Sequence, residues 1–353
     1  MKLYTLGPVK MFEETMEIGG KQVPYFRNNE FSEVVLRCMS RLKDALDMED
    51  NSEIVFLTSS GTGAMEATIM NCFTPEDNLL VIDGGSFGHR FVQLCELHNI
   101  PFDAIKVPDG EPLTKEMLDS QTDGKTYTAL LVNIHESSTG QLYDKKILSE
   151  FCKAHGMLFV VDAISSFLAD EYSMQQYGID ATILSSQKGL SLAPGLSFVA
   201  LSSRMLNRIE NIESHTMYFD FKNHIQNGKR GQTPFTPSIR VILELDKILE
   251  MIESSGVNSF TKRCELIAAD FRAKLKNMGL QYPSYPLSNA GTPVIFPKDN
   301  ADIICNELKN KYELFVNPCG GKLAKKMFRV AHIGNHTIDD NDILISAMKE
   351  LLD

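Results

Sequence analysis

The sequence predicts an α/β protein: a mainly parallel sheet of seven strands with helices on both faces, followed by a small C-terminal α+β domain. Two patterns predict it. From about residue 53, short apolar runs alternate with longer stretches whose apolar residues fall at i, i+3 and i+4. After Pro237 the alternation stops, and two long helical patterns lead into a mixed tail.

The expected strands are 54–57, 79–82, 102–105, 129–133, 158–161, 181–184 and 198–201. Between them lie helical stretches such as 64–72, 91–97 and 146–154. Strands joined through helices run parallel, and their ligand sits in the loops at the strand ends. The last two strands leave no room for a helix, so they pair antiparallel with Lys188 in their connection. Next come helices at 238–254 and 258–278, split by Ser255-Gly256. The tail reads strand 291–295, helix 301–311, strands 314–316 and 327–331, and helix 339–352. The division expected is an N-terminal arm over 1–16, a large domain over 17–252 and a small one over 253–353.

Composition narrows the classes of function. A net charge of −11 argues against nucleic acid, whose phosphates need a basic face. The seven cysteines form no CxxC pair and no cluster with metal-ligand spacing, so no metal is expected. Their scatter suits reduced thiols in a cytoplasmic protein. The N-terminus reaches Gly7-Pro8 before any signal-peptide core, and no apolar run approaches the roughly 18 residues of a membrane span.

Six segments carry possible chemistry. Ser60-Gly61-Thr62-Gly63 follows a strand and opens a helix, which suits a phosphate cradle or a plain capped turn. The absence of a lysine after the glycines excludes a P-loop. Phe87, set among Gly84, Gly85 and Gly88, either lies against a planar ligand or packs into the core. His135-Glu136-Ser137-Ser138-Thr139-Gly140 is rich in hydroxyls for a ligand, or for its own turn. Arg329, flanked by Phe328 and Val330, wants a carboxylate, either a substrate's or an internal one.

The last two segments tie the others together. Asp162 closes the apolar run 158–161, where a carboxylate needs a cationic or donor partner. Lys188, in Ser185-Ser186-Gln187-Lys188-Gly189, follows a run with no other charge, where desolvation depresses an amine's pKa. Pyridoxal phosphate chemistry asks for this pair: a lysine to bond the cofactor aldehyde and an acid to keep its ring nitrogen protonated.

In this order the motifs resemble the class V aminotransferases, pyridoxal phosphate enzymes of fold type I. The likeness is greatest to the branch with serine–glyoxylate and alanine–glyoxylate aminotransferases and 2-aminoethylphosphonate–pyruvate transaminase. It runs from Gly7-Pro8 to about Gly334 and is carried by Ser60-Gly61-Thr62 with Glu66, Glu136 to Gly140, Val161 to Ser166, Ser186 to Gly189 and Phe328 to Gly334.

The resemblance implies that Ser60, Gly61 and Thr62 bind the cofactor phosphate with Gln187 nearby. Phe87 stacks on the ring, Ser137 sits near its hydroxyl, Asp162 holds its nitrogen, and Lys188 forms the Schiff base and moves protons. Thr233 reaches the phosphate of a neighbouring subunit, which implies a homodimer with shared active sites. Arg329 holds the substrate carboxylate. The segment Tyr4 to Pro8 resembles one that relatives lay across the partner's site.

The implied reaction moves an amino group from a small amino-acid or aminophosphonate donor (2-aminoethylphosphonate, serine or alanine) to pyruvate or glyoxylate. Phe87 stands where the branch often has Trp or Tyr, and Arg230 where it often has an aromatic residue. Arg230 and His332 lean toward a phosphonate. The alternative is a lyase or cysteine desulfurase on the same fold. Against it, Gln187 stands where desulfurases carry His; the nucleophilic cysteine that they hold on a mobile loop would have to be Cys319, the only cysteine on an obviously flexible loop.

Overall fold

Along each of the seven central strands, successive side chains enter different cores. Phe56, Leu80, Val132, Phe159, Val161 and Phe198 pack on one face of the sheet, and Val55, Val81, Leu131, Val160, Ile183 and Val199 on the other. A strand with apolar residues at every position is buried on both faces, and helices cover each. The computed structural model describes residues 1–108, 110–122 and 124–352, so Asp353, the last residue of the expected C-terminal domain, lies outside them.

The expected strands are all present, at Glu53–Leu57, Leu79–Asp83, Phe102–Lys106, Ala129–Asn133, Leu158–Asp162, Ala181–Ser185 and Ser197–Leu201. They form one sheet in which Ser197–Leu201 is antiparallel to both of its neighbours and the remaining pairs are parallel. Six strands therefore end at the same edge. That edge presents Asp162, Asn133 and the turns that follow Leu57, Asp83 and Ser185.

Helix Asn29–Ala45 was not anticipated. Its Asn28 cap accepts from the Phe31 amide, and its stripe Phe31, Val35, Cys38 and Leu42 packs against helix Ile239–Ser255. Helices Gly61–Cys72 and Gly88–Leu97 pack on the opposite face. The short hairpin of His135–Glu136 with Gln141–Leu142 is a further addition.

The C-terminal elements appear as expected, at Gly291–Ile295, Ala301–Tyr312, Leu314–Pro318, Met327–Ala331 and Ile338–Leu352. They gain an N-terminal strand, Lys2–Tyr4, which runs parallel to Leu314–Pro318 at the edge of a four-stranded sheet. A separate core of Phe271, Val294, Leu308, Phe328 and Leu344 stabilises this layer. No helix among the described residues is long and apolar enough to cross a membrane.

Candidate active site

Parallel register sets the floor of the cleft. Asn133 and Asp162 are direct neighbours on adjacent strands, and the Asn133 amide donates to Asp162 Oδ2 at 2.7 Å. The Ile164 amide donates to Oδ1 at 2.9 Å. Neither donor carries a full charge. Burial pushes the Asp162 carboxyl up to about 6, although both hydrogen bonds and Lys188 oppose the rise. A cation delivered to this carboxylate would be strongly favoured.

Lys188 lies in the turn after Ala181–Ser185. Gly189 lets that turn press against the chain beneath it, since a Cβ there would stand 2.0 Å from the Phe167 carbonyl oxygen. The Lys188 amine makes no hydrogen bond among the described residues and sits 5.8 Å from the centre of the Phe87 ring. Desolvation pulls its pKa down to about 8; Asp162 opposes this, and Arg329 and Arg90 add to it. Roughly a tenth of the amine is thus neutral and nucleophilic at pH 7, far more than for an ordinary lysine.

The wall opposite is a helix start. Ser60 caps helix Gly61–Cys72 by accepting from the Gly63 amide at 3.3 Å, so the cradle and the capped turn are one structure. Gly61 lets Ile164 pack closely against the cradle, since a Cβ would meet Ile164 Cδ1 at 2.4 Å and Ser185 Cβ at 3.3 Å. Arg90 donates to Thr62 Oγ1 at 2.9 Å and places a cation at the same helix N-terminus. Ser60, Gly61, Thr62, Phe87, Ser137, Asp162, Gln187 and Lys188 all line one cleft, joined by Arg90, Asn133, Ile164 and Ser165.

Glu136, fully buried, fixes the Phe87 loop. Its carboxylate accepts from the amides of Gly88 at 2.8 Å, Phe87 at 3.2 Å and Ser138 at 3.1 Å, and from the Ser138 hydroxyl. Sequence reasoning gave no role to Glu136, Asn133 or Arg90. Asn133 was readable as a polar strand end beside Asp162, whereas the Glu136 contacts join segments far apart in the chain.

Arg329 lies on the rim, outside the lining of the cleft floor. It donates to the carbonyls of Ser137 at 2.7 Å and Pro318 at 2.9 Å, and its buried Nε has no partner. No carboxylate pairs with it among the described residues, so the internal acid partner is absent. Gln187 accepts from Ser185 Oγ at 2.5 Å. Thr233 stands apart from the cleft: its hydroxyl donates to the Phe235 carbonyl at 2.6 Å, and its own carbonyl accepts from Arg27.

The residues linked to a phosphonate also lie elsewhere. His332 is buried, bonded to Thr292 Oγ1 at 2.8 Å, and Arg230 reaches Asn227. Cys319 is buried too; burial raises its thiol pKa, and Arg329 only partly offsets the rise.

The donor set fits pyridoxal phosphate: an unpaired amine, a buried acid with only neutral hydrogen-bond donors, and a glycine-opened helix start line one cleft. Fold and cleft together define a fold-type I enzyme dependent on that cofactor. The chain belongs to the aminotransferase class-V family, which matches residues 21–294. It is therefore an aminotransferase that uses pyridoxal phosphate.

Three likenesses extend over nearly the whole chain. It is 29% identical to the small subunit of a soluble hydrogenase from Synechococcus sp., over 98% of this chain and 91% of that one. It is 25% identical to serine–glyoxylate aminotransferase from Arabidopsis thaliana, over 94% and 85%. Among solved structures, an aspartate aminotransferase from Thermus thermophilus superposes with a TM-score of 0.92 at 27% identity, covering 99% of each chain.

Proposed function

We propose that the enzyme transfers the amino group of alanine or serine to glyoxylate or pyruvate. The observation that carries this reading is the Arg329 guanidinium, held at the rim by two carbonyls and without an acidic partner. A planar fork in that state suits the carboxylate of an α-amino acid or 2-oxo acid. The likeness to serine–glyoxylate aminotransferase supports the same choice. 2-Aminoethylphosphonate is the weaker donor, because His332 is buried against Thr292, away from the cleft.

The cofactor, when bound, supplies an aldehyde for the amino group and a ring that accepts electrons from the substrate Cα. Each residue then has one task. Ser60, Gly61 and Thr62 would hold the phosphate at the helix N-terminus, with Arg90 and Gln187 beside them. Phe87 and Ser137 would contact the ring system from the cleft walls. Asp162, ionised above about pH 6, would keep a proton on the ring nitrogen. Arg329 fixes the substrate carboxylate, which aligns the Cα hydrogen with Lys188. The Lys188 amine takes that proton and returns it, and orientation lets one base serve both transfers.

A homodimer completes this reading, with Thr233 serving the partner's phosphate. Tyr25 and Met217, large apolar side chains 69% and 80% exposed, give such a face apolar surface to bury. The desulfurase alternative needs a mobile thiolate, and Cys319 is buried with a raised pKa.

A donor panel tests the proposal. Alanine or serine should convert the loaded enzyme to its aminated form, with pyruvate or hydroxypyruvate released stoichiometrically. Release of sulfide from cysteine with no keto acid from either donor would reject it.

A further inference from the structure

The turn that carries Lys188 has strained backbone on both sides. Ser191, three residues on, has a φ of +58°, and Leu168, which packs beside Gly189, has a φ of +64°. These are left-handed values that bulky side chains rarely adopt. Such backbone persists only where its surroundings hold it, and it gathers at functional sites.

Residues 186–196 close on themselves. The Ser186 amide donates to the Leu196 carbonyl and the Leu192 amide to the Ser186 carbonyl, each at 2.9 Å, and Ser186 Oγ donates to the Ala193 carbonyl at 2.7 Å. These bonds shape the loop without seating it on the molecule. Among the described residues, a single side chain from outside the loop bonds to residues 188–196: Glu244 of helix Ile239–Ser255 accepts from the Ala193 amide at 3.0 Å.

Glu244 is fully buried, beside Val241, Ile242, Leu245 and Ile248 on the apolar face of its helix. Its other oxygen accepts from Arg240 Nε at 2.9 Å, and Arg240 is half exposed. Replacing a buried ion pair by apolar residues of similar size is often neutral or stabilising, so packing does not explain the carboxylate. Nor does its charge: the groups whose charges act on the Lys188 amine are Asp162, Arg329 and Arg90. What remains is the grip on Ala193.

We propose that Glu244 is a positioning residue for the reaction, seating the strained loop 188–196 and thereby holding the Lys188 amine in the cleft. This rests on the role given above to Lys188. Glu244 acts through the backbone and touches neither cofactor nor donor.

Two variants and two readouts test it on the full chain. Glu244→Met fills the same space without an acceptor, whereas Glu244→Gln keeps an acceptor for the Ala193 amide and lets Arg240 turn to water. With cofactor removed, Lys188 is labelled by trace acetic anhydride across a pH series, and its peptide is quantified by mass spectrometry. The wild-type midpoint should lie at about 8. A loosened loop admits water and relieves the desolvation that lowers the amine, so Glu244→Met should raise the midpoint by about one pH unit and Glu244→Gln should leave it in place. With cofactor present, kcat for alanine per bound cofactor should fall roughly tenfold in Glu244→Met, with KM little changed, and recover in Glu244→Gln. If Glu244→Met fails to fold by circular dichroism, Glu244→Ala takes its place. A folded variant without the acceptor that keeps the wild-type midpoint overturns the proposal, and so does a loss of kcat that Glu244→Gln does not restore. If neither alanine nor serine reacts with the wild type, the proposed function fails, and the labelling midpoint alone judges Glu244.

Discussion

At the scale of single residues, the cleft depends on two ionisable groups held away from their ordinary pKa values. Asp162 is destabilised as a carboxylate in the cofactor-free chain, with its pKa raised to about 6. A raised carboxyl pKa means that the folded state binds the extra proton, so the penalty is absent well below about pH 4 and grows as pH rises through 6. Asp162→Asn should therefore raise the melting temperature of the cofactor-free protein at about pH 8 and leave it nearly unchanged at about pH 4. The same variant should lose most transaminase activity. Equal melting shifts at both pH values would contradict this account of Asp162.

Arg329 makes a second prediction at this scale. Arg329→Lys keeps the charge but loses the fork, and should cost about 2 kcal/mol in kcat/KM, or roughly 30-fold, chiefly through KM. Steady-state kinetics with alanine checks it, and a change confined to kcat would contradict the anchoring role.

At the scale of elements, turns decide where the chemistry sits. The hairpin turn carrying Lys188 lies so close to Phe167 that Gly189→Ala must move backbone. That variant should be destabilised by about 2 kcal/mol or more and bind cofactor poorly. Equilibrium dialysis of the cofactor and a thermal melt measure both effects. Glu136 does the same for the loop of Phe87, by gathering three amides and a hydroxyl.

The seven strands were legible because each is a short apolar run bounded by turns, and period-2 burial on both faces leaves few alternatives. Lys188 and Asp162 were legible as lone charges after such runs. Helix Asn29–Ala45 was readable in principle, since Phe31, Val35, Cys38 and Leu42 form one stripe, but charged residues between them dilute the signal. The partners of Arg329 and Glu136 were not legible. Carbonyls carry no sequence signature, and contacts between distant segments arise only once the sheet has set its register.

At the scale of the whole molecule, the cleft lies where the layer of the four-stranded sheet meets the edge of the seven-stranded one. Arg329 donates to Ser137 O, Tyr285 donates to Thr139 O at 2.8 Å, and Ser288 and Asn289 donate to the buried Asp170. The loop of Ser137 and Thr139 at the cleft is thereby held by the C-terminal layer that carries Arg329, the proposed substrate anchor. The proposed homodimer adds Thr233 from a second chain. Sedimentation velocity at micromolar concentration should show a dimer, and Thr233→Val should weaken cofactor binding while the dimer persists. A fully active monomer would refute that part of the account.

The central claim is that Lys188 carries the cofactor and hands its amino chemistry to a small donor. The most direct measurement is the visible absorbance of the loaded protein, wild type and Lys188→Ala, titrated with alanine and serine. The account predicts a band at roughly 410–430 nm in the wild type that is lost in the variant and bleached by either donor. A band that survives Lys188→Ala, or one that neither donor bleaches, would contradict it.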